Sequence, residues 1–247
     1  MFFDVHCHLT HEAFKNDLPD VIKRAKDVTI HCAGSGLHDN EKVLEISRQY
    51  GNVKASLGLY PWDAVELSEG ETGVVFDQMR KHKDEIICIG EVGLDHYWGK
   101  SEADWQKQEW VFSRILDLAN ELGKPVLVHT RKAEKESLEM IKGREKVIIH
   151  SYTGPQKLVP EFLEQGCYFS IPAVLLRSGS FQSLVKKVPV NRLLTETDAP
   201  YLPPKAGERS EPSFVKLTVK KMAEIKGLSE KEVEDALTQN YKAMFIS

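Results

Sequence analysis

Eight short apolar runs, most followed by a longer stretch with helical spacing, constrain the fold of this chain more than anything else in it. The runs are residues 2–6, 28–32, 53–59, 86–90, 126–129, 147–150, 168–171 and 193–195. Several are near-continuous in Val, Ile and Leu, the composition of strands covered on both faces. Residues 18–26, 40–50, 102–122, 133–142, 155–165, 181–186, 213–226 and 230–245 read as helices. In the longest, Trp105, Val111, Phe112, Ile115, Leu116 and Leu118 recur mostly at three- and four-residue steps, and Gly123 and Pro125 close it. Ser229 and Glu232 have capping-box spacing ahead of the last helix. Strand–helix alternation of this kind builds a parallel sheet. A length of 247 residues suits one closed barrel, and 41% hydrophobic residues supply its core. The expectation is an α/β fold, a single-domain TIM (β/α)8 barrel spanning residues 1–247.

In such a barrel the carboxyl ends of the strands converge on one mouth, where catalytic groups sit. Polar residues fall there repeatedly. His6 and His8 end the first run, and residues two apart in an extended segment share a face, so both imidazoles address one point. Glu91 follows the fourth run, His129 ends the fifth, His150 ends the sixth, and Asp198 comes just after the eighth. One such histidine is ordinarily a satisfied structural residue. Four histidines and two carboxylates at one rim point to a metal centre, because unpaired they would repel or be costly to desolvate. A single catalytic zinc takes about three protein ligands, so six suit two ions better. Two divalent ions about 3.5–4 Å apart activate water and neutralise both attacking and leaving oxygens, chemistry suited to phosphoesters. Asp198 is placed to hold a metal and take the proton of bound water, and Glu91 to bridge.

The formal net charge of −4 supplies no global attraction for nucleic acid, so a polyanion would be held locally, by ions and a few basic side chains. Cys7, Cys32, Cys88 and Cys167 form no CxxC pair and are expected to be buried thiols. A strand follows Met1 at once, leaving no room for a signal peptide, and no apolar run nears the roughly 18 residues of a membrane span. The expectation is a soluble, cytoplasmic protein with no membrane contact and no obligate protein partner. Residues 199–212 hold four of the eleven prolines and read as an active-site loop, not a domain boundary.

These segments resemble the TatD family of metal-dependent deoxyribonucleases, within the wider amidohydrolase superfamily. The resemblance lies in Phe3-Asp4-Val5-His6-Cys7-His8-Leu9, Gly90-Glu91-Val92-Gly93-Leu94-Asp95 and Val128-His129-Thr130-Arg131. It continues in His150-Ser151-Tyr152-Thr153-Gly154 and Glu196-Thr197-Asp198-Ala199-Pro200-Tyr201-Leu202, in family order over nearly the whole chain. It implies a TIM barrel that hydrolyses DNA phosphodiesters, usually from the 3′ end as a 3′–5′ exonuclease, with magnesium or a similar ion such as zinc or manganese. It also implies that His6, His8 and Asp198 hold one metal and His129 and His150 the second, with Glu91 between them. Single-stranded DNA or DNA ends would be the substrate. Two segments depart from the family pattern. Gly58-Leu59-Tyr60-Pro61 carries tyrosine where the family has a substrate-facing histidine, and Arg209-Ser210-Glu211-Pro212 replaces Arg-Asn-x-Pro. Tyr60 can donate a hydrogen bond to phosphate but carries no positive charge at neutral pH.

Other residues are read more plainly. Arg131 and Arg209 are expected at substrate phosphates, against the alternative of structural ion pairs. Glu196 either supports a ligand histidine or makes a structural pair. Asp4 is expected to face the same way as His6, deeper in the barrel. His31, His38 and His96 read as surface or loop residues, and His11 and His82 as solvent-facing. Trp98 can stack on a base, whereas Trp105 and Trp110 read as packing residues. The rival function is an amidohydrolase or esterase using the same metals on a non-nucleic-acid substrate. Barrels of that kind often bridge their metals with a carboxylated lysine on the fourth strand; Glu91 stands there instead, and Lys100 lies too far along.

Overall fold

The structure, a computed structural model, describes residues 1–98 and 101–246; Lys100 lies outside them. Eight parallel strands follow one another in sequence order around the sheet: β1 (Phe2–Cys7), β2 (Val28–Ala33), β3 (Val53–Leu57), β4 (Ile86–Asp95), β5 (Val126–Arg131), β6 (Val147–His150), β7 (Tyr168–Ile171) and β8 (Leu193–Thr195). The helices are α1 (Leu18–Arg24), α2 (Leu37–Gln49), α3 (Pro61–Glu66), α4 (Glu69–Lys81), α5 (Glu102–Leu122), α6 (Glu134–Met140), α7 (Val159–Glu164), α8 (Gly179–Lys187), α9 (Val215–Lys226) and α10 (Glu230–Phe245). The architecture is a TIM barrel, as expected.

Three differences from the sequence expectation have physical causes. β4 runs five residues past Gly90, because its second half pairs with β5 as far as Asp95–Arg131. The gap after β3, left without a helix, holds α3 and α4; Ser68 caps α4 reciprocally with Glu71, the same device found at Ser229 and Glu232. The segment read as a helix over 155–165 breaks into a 3-10 turn, Gln156–Leu158, and α7, with Pro160 in the first turn of the latter. Gly123 ends α5 in the left-handed conformation (φ 63°).

Two apolar layers hold the barrel. The larger lies between strands and helices. The smaller fills the lower interior with Phe3, Val5, Cys88, Leu127, Ile148 and Leu194, and α10 plugs it from below with Tyr241 and Met244. Phe3 and Tyr241 stack with ring centroids 3.9 Å apart. All four cysteines are free and buried, and burial pushes Cys32, Cys88 and Cys167 up to about 12.

Adjacent strands are laddered from β1 through to β8, but among the described residues no ladder joins β8 back to β1. Side chains and isolated backbone bonds stitch that seam, among them His8 N to Ala199 O (2.7 Å). Thr195 Oγ1 donates to Phe3 O (2.5 Å), Thr197 donates from N and Oγ1 to the Asp4 carboxylate (2.9 and 2.5 Å), and Asp198 N donates to His6 O (3.0 Å). Asp4, expected below His6, instead alternates with the inward-facing Phe3 and Val5 and turns to Thr197, because the bulge that follows it re-aims His6 alone.

His31, expected at the surface or in a loop, lies in β2 and is fully buried under the plug, with Nε2 2.9 Å from Tyr241 Oη. His96 stacks on Trp105 (4.6 Å), and His82 is largely buried beside Glu85. Burial, reinforced by the charges of Lys54 and His6, pulls His31 down to about 3. The unfolded chain protonates this residue below about pH 6.5, whereas the folded chain waits until about 3, so acid favours unfolding throughout that window. Between pH 7 and 5 the loss from this one group is about 2 kcal/mol. Urea unfolding of wild type and His31→Gln at both pH values should show the wild type losing that much more than the variant. Parallel losses would remove His31 as the cause.

Candidate metal centre

The side chains that crown the lower apolar layer are set by strand alternation and by its interruptions. In β5 and β6 the pattern is regular: Leu127 and Ile148 point into the lower interior, and His129 and His150, two residues on, point the same way one layer higher. β1 and β4 break the pattern. Val5 belongs to the inner layer and Cys7 to the outer one, although they are two residues apart; Cys88 is inner while Val92 and Leu94 are outer. In each strand the register with its neighbour slips by one residue, between Asp4 and Cys7 and between Ile89 and Val92. These bulges re-aim His6 and Glu91 into the mouth. Gly93, at φ 139°, completes the arrangement: a Cβ there would stand 2.1 Å from His129 O, so only glycine lets β4 pass β5 this closely.

The six expected ligands meet. His6 Nε2 lies 3.5 Å from Glu91 Oε2 and 3.4 Å from Asp198 Oδ1; His8 Nε2 lies 3.5 Å from each of the same oxygens. The other oxygen of Glu91, Oε1, is 2.7 Å from His129 Nδ1 and 3.2 Å from His150 Nε2, and those two nitrogens are 3.4 Å apart. Glu91 therefore divides the cluster into two sets, one on each carboxylate oxygen. Asp198 sits at φ 51°, a left-handed conformation uncommon outside glycine, asparagine and aspartate, held by Asp198 N to His6 O and by Tyr201 N to Asp198 O (2.8 Å).

Opposite charges govern the electrostatics. Burial pushes the Glu91 carboxyl up, but the imidazoles of His150 and His129 outweigh it and hold it well below the usual carboxylate range. Burial opposes ionisation of Asp198 too, and the imidazoles of His6 and His8 beside its carboxylate override it, again downward. His8, His129 and His150 are pulled down by burial and raised further by the carboxylates beside them, whereas His6 ends lowered by burial and by His150.

Two outer carboxylates orient the imidazoles. Asp95, which sequence reading passed over, is 3.0 Å from His129 Nε2, which leaves Nδ1 facing Glu91. The signal was available: along β4, Asp95 is four residues beyond Glu91 and shares its face. Glu196 Oε2 stands 3.4 Å from His150 Nδ1 and accepts from Ser170 Oγ (2.5 Å), while Oε1 accepts from Ser151 N and Oγ (2.9 and 2.5 Å). Glu196 thus stands behind His150, where it would support that histidine as a ligand.

The centre opens into a cavity of about 700 Å³ lined by His8, His11, Glu12, Asp39, Tyr60, Asp63, Trp98, Arg131, Tyr201 and others. Arg131 reaches it with no carboxylate partner among the described residues; its guanidinium lies 4.0 Å above the Tyr97 ring. Arg209 does not line it. Its guanidinium is clamped on Asp17 (2.6 and 2.8 Å) and on Ala13 O, over the Phe14 ring, so the expected phosphate contact gives way to a structural ion pair. Tyr60 lines the cavity, but its hydroxyl donates to Asp95 Oδ2 (3.1 Å), and an ionised carboxylate only accepts. Donation to phosphate would first break that bond.

Do these residues fit metal ions? Four ligands about 2.1 Å from a tetrahedral centre stand about 3.4 Å apart. The His6, His8, Asp198 and Glu91 atoms show that spacing. Both ring nitrogens of His6 are buried without a hydrogen-bond partner among the described residues, a costly arrangement that a cation at Nε2 would relieve. His6, His8 and Asp198 form one candidate ligand group, and His6, Glu91 and His150 another. The donors fit.

Residues 3–246 match the family model described as TatD related DNase. The human protein named deoxyribonuclease TATDN3 is 34% identical over 257 residues, covering 98% of this chain and 93% of its own length. A Klebsiella pneumoniae protein named 3′-5′ ssDNA/RNA exonuclease TatD is 29% identical over 259 residues, covering 98% and 97%. Other relatives bear only the name of uncharacterised metal-dependent hydrolases. The crystal structure of the Escherichia coli TatD homologue YjjV superposes with a TM-score of 0.91 over 100% of this chain and 98% of that one, at 23% identity. No helix among the described residues is long and apolar enough to cross a membrane.

Proposed function

The chain belongs to the TatD-related DNase family of metal-dependent hydrolases, and from that premise we propose that it cleaves phosphodiester bonds of single-stranded DNA from the 3′ end with two divalent ions. The observation that carries this reading is the division of the cluster by Glu91, with Oε2 turned to His6 and His8 and Oε1 to His129 and His150. His6, His8 and Asp198 would hold one ion and His129 and His150 the other, with Glu91 shared. Bound there, divalent ions would acidify a water and neutralise the charge of the phosphate. Imidazole with carboxylate suits magnesium, manganese or zinc.

The chain's own residues do the rest. Asp198 turns Oδ1 toward His6 and His8, leaving Oδ2 to accept the proton released as water attacks phosphorus. Arg131, unpaired by any carboxylate among the described residues, binds a non-bridging phosphate oxygen. Tyr60 holds Asp95, and Asp95 fixes the His129 ring. The Klebsiella relative's name supports the 3′ polarity.

One observation favours a second reading, an esterase or amidohydrolase: Glu12, Asp39 and Asp63 line the cavity against Arg131, and acidic walls disfavour a long polyanion. A 5′-labelled single-stranded oligonucleotide incubated with protein and magnesium, manganese or zinc separates the two. Stepwise shortening from the 3′ end, stopped by EDTA, is expected. Intact DNA of every form beside turnover of ester or amide substrates would hand the assignment to the second reading.

A further inference from the structure

The large aromatic side chains left exposed among the described residues are Tyr97, Trp98 and Tyr201, at 46, 50 and 51%. All three gather at the mouth of one cavity. Trp98 and Tyr201 line it, and Tyr97 packs edge-on against Trp98 (4.9 Å) beneath the Arg131 guanidinium. The two groups face each other across the barrel, because Tyr97 and Trp98 follow β4, Tyr201 follows β8, and the strands run in order around the sheet.

Neither group is loosely placed. Asp95 Oδ1 accepts from the backbone N–H of both Tyr97 (2.9 Å) and Trp98 (3.1 Å), while its Oδ2 holds His129. Tyr201 N is tied to Asp198 O, and the Tyr201 ring stands edge-on to His11 (5.5 Å) and His8 (6.2 Å). Each aromatic group is thus fastened to a residue of the candidate metal centre yet leaves about half of its surface exposed. The rim beyond β2 and β3 carries Asp39 and Asp63, which repel phosphates. The β4–β5 side, with Arg131, attracts them.

We propose that Trp98 with Tyr97, and Tyr201 opposite, are the stacking faces that receive unpaired bases on either side of the scissile phosphate. This rests on the nuclease reading and narrows it. The substrate is a strand whose bases are already unstacked, gripped without regard to their identity, because every base offers a π-face. A duplex keeps its bases in the helix and offers these rings nothing.

The test compares kcat/KM for an oligothymidylate with that for a chain of equal length whose two sugars beside the 3′-terminal phosphodiester carry no base. With magnesium or manganese, wild type should favour the base-bearing chain by about 5- to 150-fold per face, chiefly through KM. Trp98→Ala and Tyr201→Ala should each lower that ratio, each reporting its own face. The ratio is read within one protein, so a general loss of activity does not move it. A wild-type ratio near 1, or an unchanged ratio in both variants, overturns the proposal while leaving the nuclease reading intact. Failure to cleave either chain under any metal overturns both.

Discussion

Asp198→Asn should lower DNA turnover by about 10³- to 10⁴-fold while leaving the barrel folded. Asparagine matches aspartate in size and is among the residues that tolerate positive φ, so the turn at 51° survives the change. What disappears is the negative charge beside His6 and His8, and with it the oxygen proposed to accept the proton of the attacking water. Alanine would be a poorer probe, because it would add backbone strain to the chemical loss. Far-UV circular dichroism establishes that the fold is kept, and single-turnover cleavage of labelled single-stranded DNA measures the effect. Activity within tenfold of wild type would exclude Asp198 as the proton acceptor.

Glu91→Gln should have an effect of the same order through a different cause. Both oxygens of the buried carboxylate are in use, each facing two imidazoles. An amide offers one oxygen, no charge and an NH2 that cannot ligate. Binding of at least one ion should weaken by at least about 100-fold, and turnover should collapse with it. Elemental analysis of metal per chain after gel filtration is the direct measurement. Two ions retained per chain, with turnover near wild type, would be incompatible with the shared role given to Glu91.

Much of this centre was legible before the fold, because strand ends in a parallel barrel converge whatever the intervening sequence, and the polar residues stood at those ends. Side-chain direction was less legible. His6 and Glu91 owe their aim to single-residue bulges, and nothing in Asp4-Val5-His6-Cys7 or Ile89-Gly90-Glu91-Val92 marks where the alternation slips. Partners distant in the chain hid other roles. Arg209 was assigned to substrate because Asp17, which clamps it, lies 192 residues earlier. His31 reads as a surface or loop residue because its contact, Tyr241, is 210 residues later. Helix α4 is hard to see in the sequence although Ser68 and Glu71 have the spacing that marks the last helix, because half of its buried face, Thr72, Val75, Gln78 and Met79, is polar.

The unladdered gap between β8 and β1 has a consequence for how such a chain can change. His6 and His8 stand on one lip and Asp198 on the other, so an ion held by all three would add a clasp to the backbone and side-chain bonds that already bridge the gap. Seating the ion would then also tighten the cylinder. A descendant that abandoned this chemistry for another would inherit a loosened join, and pressure to keep those three side chains would outlast the reaction they serve.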